Sequence, residues 1–159
     1  MSLLAATLLS LTVVSSSPAS AASVGGDPSA RRAARPTAYV SEVRTATNAE
    51  RQRRHQRALT LNTCLKSFAR KQAVRMARER SISHTSDFMA IGRRCGLSTW
   101  GENVAQALPN DRGRGVVRQW MRSSDHRANI LNRQYRLIGM GAVRSHGAWW
   151  VVQVFGRKM

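Results

Sequence analysis

The sequence predicts an α+β domain in which helices cover both faces of a small antiparallel sheet. The first observation is an apolar stripe at three- and four-residue steps over residues 65–77, a pattern typical of an amphipathic helix. The second is a shorter stripe of the same period over residues 116–121. The third is the end of the chain, where residues 137–155 are rich in aromatic, β-branched and glycine residues, as strands are. Helices that precede strands in this way indicate the α+β class.

Residues 1–21 predict a signal peptide. They contain no charged side chain, and residues 3–14 are an apolar run of about the length of a signal-peptide core. Small residues then offer a cleavage point after Ala21, although no Lys or Arg precedes the apolar run. A buried N-terminal helix is the alternative interpretation. Because the run is shorter than the ~20 residues that span a bilayer, we expect a secreted, extracellular protein with no transmembrane segment in the mature chain.

Residues 22–38 predict a flexible basic linker. They combine Gly, Pro and small residues with arginine, and they cannot bury enough apolar surface to offset the entropy of ordering. A single domain is the default for a chain of 159 residues. We therefore assign residues 39–159 to one domain.

The first two helices differ in the strength of their signal. Residues 39–57 have a weak and polar helical pattern. The second helix has a good N-cap in Asn62 and is expected to end near Arg80. Several of its charged residues are predicted to face outward: Lys66, Arg70, Lys71, Arg75 and Arg78.

The segment between the helices and the terminal strands is less regular. Residues 92–101 are predicted to be turn-rich, and residues 102–107 to form a short piece that is either helical or extended. The two final strands, residues 137–143 and 148–155, are separated by a connection of hairpin length. Glycines in the first of them indicate close approach of another backbone.

The two cysteines, Cys64 and Cys95, predict one disulfide. An even pair in a chain that leaves the cytoplasm favours a bond. Closing this loop of about 30 residues stabilises the fold by roughly 3–4 kcal/mol in the chain-entropy model. Two unrelated buried thiols are the alternative.

The chain is strongly basic, with 26 Lys and Arg residues against 8 Asp and Glu residues and a formal net charge of +18. Such a field attracts polyanions, so we expect association with the anionic cell envelope. The absence of RNA-recognition aromatics, zinc-finger spacing and a helix-turn-helix signal argues against specific nucleic-acid binding. The alternative interpretation is that a genome rich in arginine codons produces this composition, and that the positive charge then has no function. One dense cluster is interpreted as a solvated helix face: Arg51, Arg53, Arg54 and Arg57.

Three short blocks carry the candidate chemistry. They are residues 83–85 (Ser-His-Thr), 101–105 (Gly-Glu-Asn-Val-Ala) and 120–131, the last of which holds Trp-Met and then His-Arg-Ala-Asn-Ile-Leu. His84, Glu102 and His126 supply two imidazoles and a carboxylate, a partial ligand shell for Zn²⁺ or another divalent metal. Each of the three has a structural alternative, in which Glu102 braces a loop and each histidine donates one hydrogen bond to a carbonyl.

These blocks, in this order, resemble the CAP superfamily (cysteine-rich secretory, antigen 5 and pathogenesis-related proteins) in its bacterial SCP-like extracellular form. The resemblance covers residues 39–155, and residues 48–51 (Asn-Ala-Glu-Arg) match its Asn-x-x-Arg signature. It implies an α-β-α sandwich with a cavity lined by two histidines and two acids. His84, Glu102 and His126 match three of these four positions. The fourth is Ser123, so the ligand set is one acid short unless Asp125 partly replaces it.

The motifs favour a binding module over an enzyme. A zinc protease of the His-Glu-x-x-His type is excluded because Thr85 follows His84 and Arg127 follows His126. A Gly-x-Ser-x-Gly hydrolase motif is also absent from the sequence. The resemblance implies extracellular binding roles, with small apolar ligands in some members. Our prediction is a non-catalytic module whose cavity holds a metal ion or small ligand; a secreted hydrolase of peptide or ester bonds that uses the His/Glu cluster is the alternative.

Overall fold

The computed structural model describes residues 35–159, so the predicted signal peptide and most of the predicted linker lie outside the described residues. Helix α1 begins at Pro36, within the last residues assigned to the linker. No helix within residues 35–159 is long and apolar enough to cross a membrane. The elements of this range are α1 (Pro36–Gln52), β1 (Thr60–Leu61), α2 (Thr63–Glu79), α3 (Phe88–Cys95), β2 (Leu97–Ala107), α4 (Gly113–Arg122), α5 (Ser124–Leu131), β3 (Leu137–Ser145) and β4 (Ala148–Lys158).

The elements form a three-layer α-β-α sandwich, which confirms the predicted fold class. The sheet has the order β1-β3-β4-β2, with β3, β4 and β2 antiparallel. The two-residue strand β1 pairs in parallel with β3, so the sheet as a whole is mixed. Helices α2 and α3 pack against one face, and α1, α4 and α5 pack against the other. The central strand β4 is therefore buried on both faces, with Trp149 in one layer of the core and Trp150 in the other.

Helix α2 follows its sequence signals closely. The side chain of Asn62 accepts a hydrogen bond from the amide of Leu65 at 3.0 Å, and the helix ends as Arg80 adopts a left-handed conformation. The predicted close backbone approach is also confirmed. A Cβ atom added to Gly139 would lie 2.0 Å from the carbonyl carbon of Leu65, so only glycine lets α2 pack this tightly on β3.

The predicted disulfide joins Cys64 to Cys95 across a separation of 31 residues. Cys64 lies in the first turn of α2, and Cys95 is the last residue of α3. The bond therefore closes a loop that contains His84 and holds the two helices of one layer together. A loop of this length is worth roughly 3–4 kcal/mol in the chain-entropy model.

Two regions differ from the sequence prediction. The segment predicted as turn-rich, residues 92–101, holds the second half of helix α3 and the start of β2. Asp87 caps this helix by accepting a hydrogen bond from the Ala90 amide at 3.0 Å. The glycine inside this helix, Gly92, is covered by the indole of Trp100; a Cβ there would lie 2.4 Å from the ring. The ambiguous segment at residues 102–107 belongs to the 11-residue strand β2. Its periodicity is hidden because most of the strand is buried on both faces.

The prediction of a solvated arginine face is wrong for Arg51, whose exposed fraction is 1%. Its guanidinium donates to the carbonyl oxygens of Arg57 (2.9 Å), Ile130 (2.8 Å), Asn132 (2.9 Å) and Tyr135 (3.4 Å). Some of these carbonyls lie at the end of α5, where helical partners are lacking. Arg51 therefore fastens α1 to the end of α5. Arg53 and Arg54 remain at the surface and pair with Glu50.

Arg51→Met is expected to lower the free energy of unfolding by at least ~3 kcal/mol, because several buried carbonyls lose a charged donor worth ~1.5–3 kcal/mol each. Arg53→Met is the matched control: its side chain is 67% exposed, and such surface changes stay within about 0.5 kcal/mol. Urea unfolding of both variants measures the difference. Equal losses of stability in the two variants would contradict this role of Arg51.

Candidate functional site

The centre of the candidate site is a contact between His84 and Glu102. His84 lies in the loop between α2 and α3, and Glu102 lies on β2, the edge strand of the sheet. The distance from His84 Nδ1 to Glu102 Oε2 is 2.8 Å. The Glu102 side chain is only 1% exposed, whereas that of His84 is 60% exposed. The structure thus places two of the three predicted site residues in direct contact.

Thr85 completes the surroundings of the Glu102 carboxylate. Its amide donates to Oε2 at 2.9 Å and its hydroxyl donates to Oε1 at 2.6 Å. A buried carboxylate requires such donors, since burial without them is costly. An ionised carboxylate can only accept hydrogen bonds. In the bond between His84 and Glu102 the proton therefore belongs to His84 Nδ1. In the neutral ring the other nitrogen, Nε2, then carries the lone pair, and it has no hydrogen-bond partner in the described range.

Two polar residues of α2 hold the loop that carries His84. Gln72 donates to the carbonyl of Ser83, and Arg75 donates to the carbonyl of His84. The Arg75 Nε also donates to Gln72 Oε1 at 3.0 Å. Arg75, predicted to face outward, keeps 30% of its side chain exposed and also folds over the loop. Sequence reasoning missed this role, although Gln72 is a polar residue within an otherwise apolar stripe.

His126 reaches the same region from α5. Its carbonyl accepts a hydrogen bond from Asn103 Nδ2 at 3.1 Å. Asn129 joins α5 to β2: its Nδ2 donates to Glu102 O at 3.1 Å and to Asn103 Oδ1 at 2.9 Å. Arg127 is exposed and takes part in none of the ion pairs of residues 35–159. The block that contains His126 is thereby fixed to the strand that carries Glu102.

The ring of His126 lies beside Trp120, with 6.3 Å between the ring centroids. Burial lowers the pKa of His126, the nearby His84 lowers that pKa further, and Asp125 opposes the shift. The second acid position, Ser123, lies at the junction of α4 and α5 and makes no side-chain cap. Asp125 is exposed and accepts a hydrogen bond from Ser124 Oγ at 3.1 Å.

These contacts limit which residues can hold a metal ion. Across residues 35–159, no three His, Cys, Asp or Glu side chains are grouped closely enough to bind one. The donor set that remains is His84 Nε2 and the ring of His126. Glu102 already accepts hydrogen bonds from His84 and Thr85. Its carboxylate is therefore better placed to orient the His84 ring than to coordinate a metal ion itself. The three-residue ligand set stays a prediction.

Behind the site, a buried polar chain crosses the sheet. Asn103 Nδ2 donates to Gln153 Oε1 at 3.3 Å, and Gln153 Nε2 donates to Thr47 Oγ1 at 2.7 Å. Thr47 in turn donates to the carbonyl of Val43 at 2.8 Å. This chain links β2, β4 and α1. The polar residues at otherwise apolar positions of these elements were the available sequence signal.

The fold and the three blocks define a CAP domain, and comparison with known families agrees. The model of the cysteine-rich secretory protein family, CAP, matches residues 44–155, so this chain belongs to that family. The Bacillus subtilis protein YkwD is 35% identical over an alignment of 129 residues, and the match covers 76% of this chain and 48% of YkwD. The chain thus spans about half the length of this curated relative.

Solved structures show the same fold. An extracellular protein of Bacillus anthracis that contains an SCP domain matches with a TM-score of 0.67 and 24% identity, over 77% of this chain and 41% of that protein. An outer surface protein of Borrelia burgdorferi matches with a TM-score of 0.68 and 18% identity, over 76% of this chain and 93% of that protein. At these identities the likeness establishes the fold alone.

The lowered pKa of His126 predicts a loss of stability on acidification. Below the ordinary imidazole pKa of 6.5, the unfolded chain takes up protons more readily than folded His126. The stability that His126 contributes is therefore fully present above pH 6.5 and is lost as the pH falls toward the lowered folded value. Urea unfolding of metal-free protein between about pH 5 and pH 7.5 measures this dependence.

In that experiment His126→Gln is expected to flatten the pH dependence. His55→Asn is the control, because His55 is exposed and its positive φ of 55° is one that Asn tolerates. A slope unchanged in His126→Gln would show that His126 does not resist protonation in the folded protein.

Proposed function

We propose that this chain is a secreted, non-catalytic binding module whose His84 site holds a divalent metal ion or a small ligand. One observation carries the proposal: buried Glu102 fixes the ring of a largely exposed His84 through Nδ1. A carboxylate that holds one nitrogen of a histidine leaves the other oriented as a ligand. His126 lies near enough to influence this site, as the shift in its pKa indicates.

The surroundings supply positive charge for the rest of a ligand. A groove of about 290 Å³ lies between α2 and α3 and includes Thr85 in its wall. Three cationic side chains (Lys71, Arg75 and Arg94) line it against one acidic side chain, Asp87, and Phe68 adds an apolar wall. A bound Zn²⁺ would supply Lewis acidity at the two imidazoles. The groove would then favour a ligand with an anionic group and a short apolar portion.

Zn²⁺ is expected to bind with modest affinity, because only the two imidazoles are free to coordinate it. His84→Ala and His126→Ala should each abolish binding, and Glu102→Gln should weaken it about 10–100-fold by releasing the His84 ring. Ser123→Glu should tighten binding by adding the missing acid. Acidification should weaken binding, since protonated imidazole does not coordinate a metal. Calorimetric titration measures all of these effects.

The control for this titration is His146→Asn, because His146 is exposed, its Nδ1 contacts only Ser145, and Asn tolerates its positive φ of 50°. Retention of Zn²⁺ binding by His84→Ala would place the metal elsewhere. If wild-type protein takes up no Zn²⁺ while Glu102→Gln still loosens the His84 loop, the metal proposal fails and the ligand cavity remains.

A second part of the proposal concerns the surface, which we expect to associate with anionic polymers or lipids of the cell envelope. The formal charge of the chain is +18. Each of the few acidic side chains of the described range accepts a hydrogen bond from a neighbouring group of the protein. Most of the arginines therefore face solvent without an acidic partner.

Binding to anionic vesicles or wall polymer is expected to be strong at low salt and lost near 1 M salt. The reason is that screening shortens from ~8 Å at physiological ionic strength to ~3 Å at 1 M. Co-sedimentation across a salt series measures the effect, with neutral vesicles as the control. Binding that persists unchanged in molar salt would contradict an electrostatic mechanism.

A further inference from the structure

Within residues 35–159 the outer edge of β3 has no paired strand beyond Ile138, and it lies deep between the flanking helices, since Met140 is 3% exposed and Ala142 9%. Strand β1 pairs only with Leu137 and Ile138, and the chain then turns into α2. The carbonyl of Ile138 points outward, since it accepts a hydrogen bond from the amide of Asn62 at 2.9 Å. Backbone groups alternate along an antiparallel strand, so those of Met140 and Ala142 point outward too. Neither has a hydrogen-bond partner in the described part of the chain.

The opposite edge of the sheet is treated differently. Along β2, the outward carbonyl of Glu102 accepts a bond from Asn129, and that of Val104 accepts one from the Trp120 indole at 3.1 Å. Side chains therefore bond two of the outward carbonyls of β2. Within residues 35–159 no side chain bonds the outward backbone groups of Met140 and Ala142 in this way, and an unpaired sheet edge can take up another strand.

A groove of about 270 Å³ lies along this unpaired edge, between α1 and α2. Its floor is formed by Met140, Gly141 and Ala142, and Val40 adds an apolar wall. Leu61, the last residue of β1, also lines the groove and is 52% exposed. The groove thus begins where β1 leaves the edge, along the line that an added strand would follow about 4.8 Å from β3.

Three cations border the groove, and we call them the rim triad: Arg44 on α1, and Lys66 and Arg70 on α2. None of the three takes part in an ion pair within residues 35–159. Because α1 and α2 cover opposite faces of the sheet, the triad presents positive charge on both sides of the edge.

We propose that this groove binds an extended acidic peptide, which adds to the sheet as a strand beside β3. The unpaired amide and carbonyl groups of Met140 and Ala142 would bond the peptide backbone, as in other strand-addition complexes. Side chains of an added strand alternate between the two faces, so acidic residues would meet Arg44 on one side and Lys66 or Arg70 on the other. An anionic amphiphile would use the charges and the apolar wall but would leave the backbone groups unpaired.

This site is separate from the His84 site, since the two lie at opposite edges of the sheet. Failure of the Zn²⁺ experiments therefore leaves the peptide proposal standing, and the reverse also holds.

The test uses the whole protein and a fluorescent peptide of alternating Glu and Val, with binding followed by anisotropy. Two further peptides carry N-methyl groups on alternate backbone nitrogens: one is methylated at the odd positions and the other at the even positions. In an added strand only every second N–H points toward β3, so one methylated peptide should lose binding and the other should bind as the parent does. Hydrogen exchange at the amides of Met140 and Ala142 should slow when the parent peptide binds.

Reversing the rim triad to Glu should weaken binding of the parent peptide at least about tenfold, in keeping with three exposed charge pairs. The matched control reverses three exposed arginines outside the groove and so has the same net charge: Arg57, Arg118 and Arg133. Circular dichroism confirms that both variants are folded. The methylated peptides test the proposal on unmodified protein, so it remains falsifiable if the variants fail to fold.

Several results would overturn the proposal. One is equal binding of the two methylated peptides, which would show that the backbone edge is not used. Another is an equal loss in the control variant, which would indicate attraction by net charge alone. A third is a fatty acid that competes fully with the peptide while exchange at Met140 and Ala142 stays unchanged, which would assign the groove to an amphiphile.

Discussion

The buried carboxylate of Glu102 is the interaction on which the candidate site depends. Adjacent residues of a strand point to opposite faces of the sheet, so Glu102 and Asn103 divide their contacts between two sets of elements. Glu102 holds His84 and Thr85 in the loop after α2. Asn103 bonds the carbonyl of His126 in α5. One pair of residues on β2 thereby joins three blocks that are distant in sequence.

Other contacts keep this pair in place and limit its freedom. The Cys64–Cys95 bond ties α2 to the end of α3, so the loop that carries His84 is closed at both ends. Arg51 fastens α1 to the end of α5, the helix of His126. The two imidazoles therefore belong to loops and helix ends held by a rigid frame. Such a frame suits a site that binds, because little conformational entropy is lost when a ligand arrives.

The sequence predicted the fold class, helix α2, the disulfide, the terminal hairpin and the family, because these leave local or pairwise signals. It failed for Arg51, whose burial depends on carbonyls some 80 residues away. It left residues 102–107 of β2 undecided between helix and strand, because the two buried faces of this strand remove the alternation. The family pattern placed His84 beside Glu102, but Thr85 and Arg75 were missed since each acts through a loop conformation. The metal ligand set and the identity of the ligand stay predictions. The hydrolase alternative also stays a prediction, because the His84–Glu102 pair fits both a binding site and a catalytic one.

The most direct test of this account is the tautomer of His84 in the metal-free protein. Two-dimensional ¹⁵N–¹H NMR distinguishes the two imidazole nitrogens, and His84→Gln assigns the signals. The account requires the neutral ring to carry its proton on Nδ1, because the Glu102 carboxylate accepts the Nδ1 hydrogen at 2.8 Å. This preference should disappear in Glu102→Gln. A neutral ring that carries its proton on Nε2 instead of Nδ1 in the wild-type protein would contradict the claim that Glu102 orients His84 for a ligand.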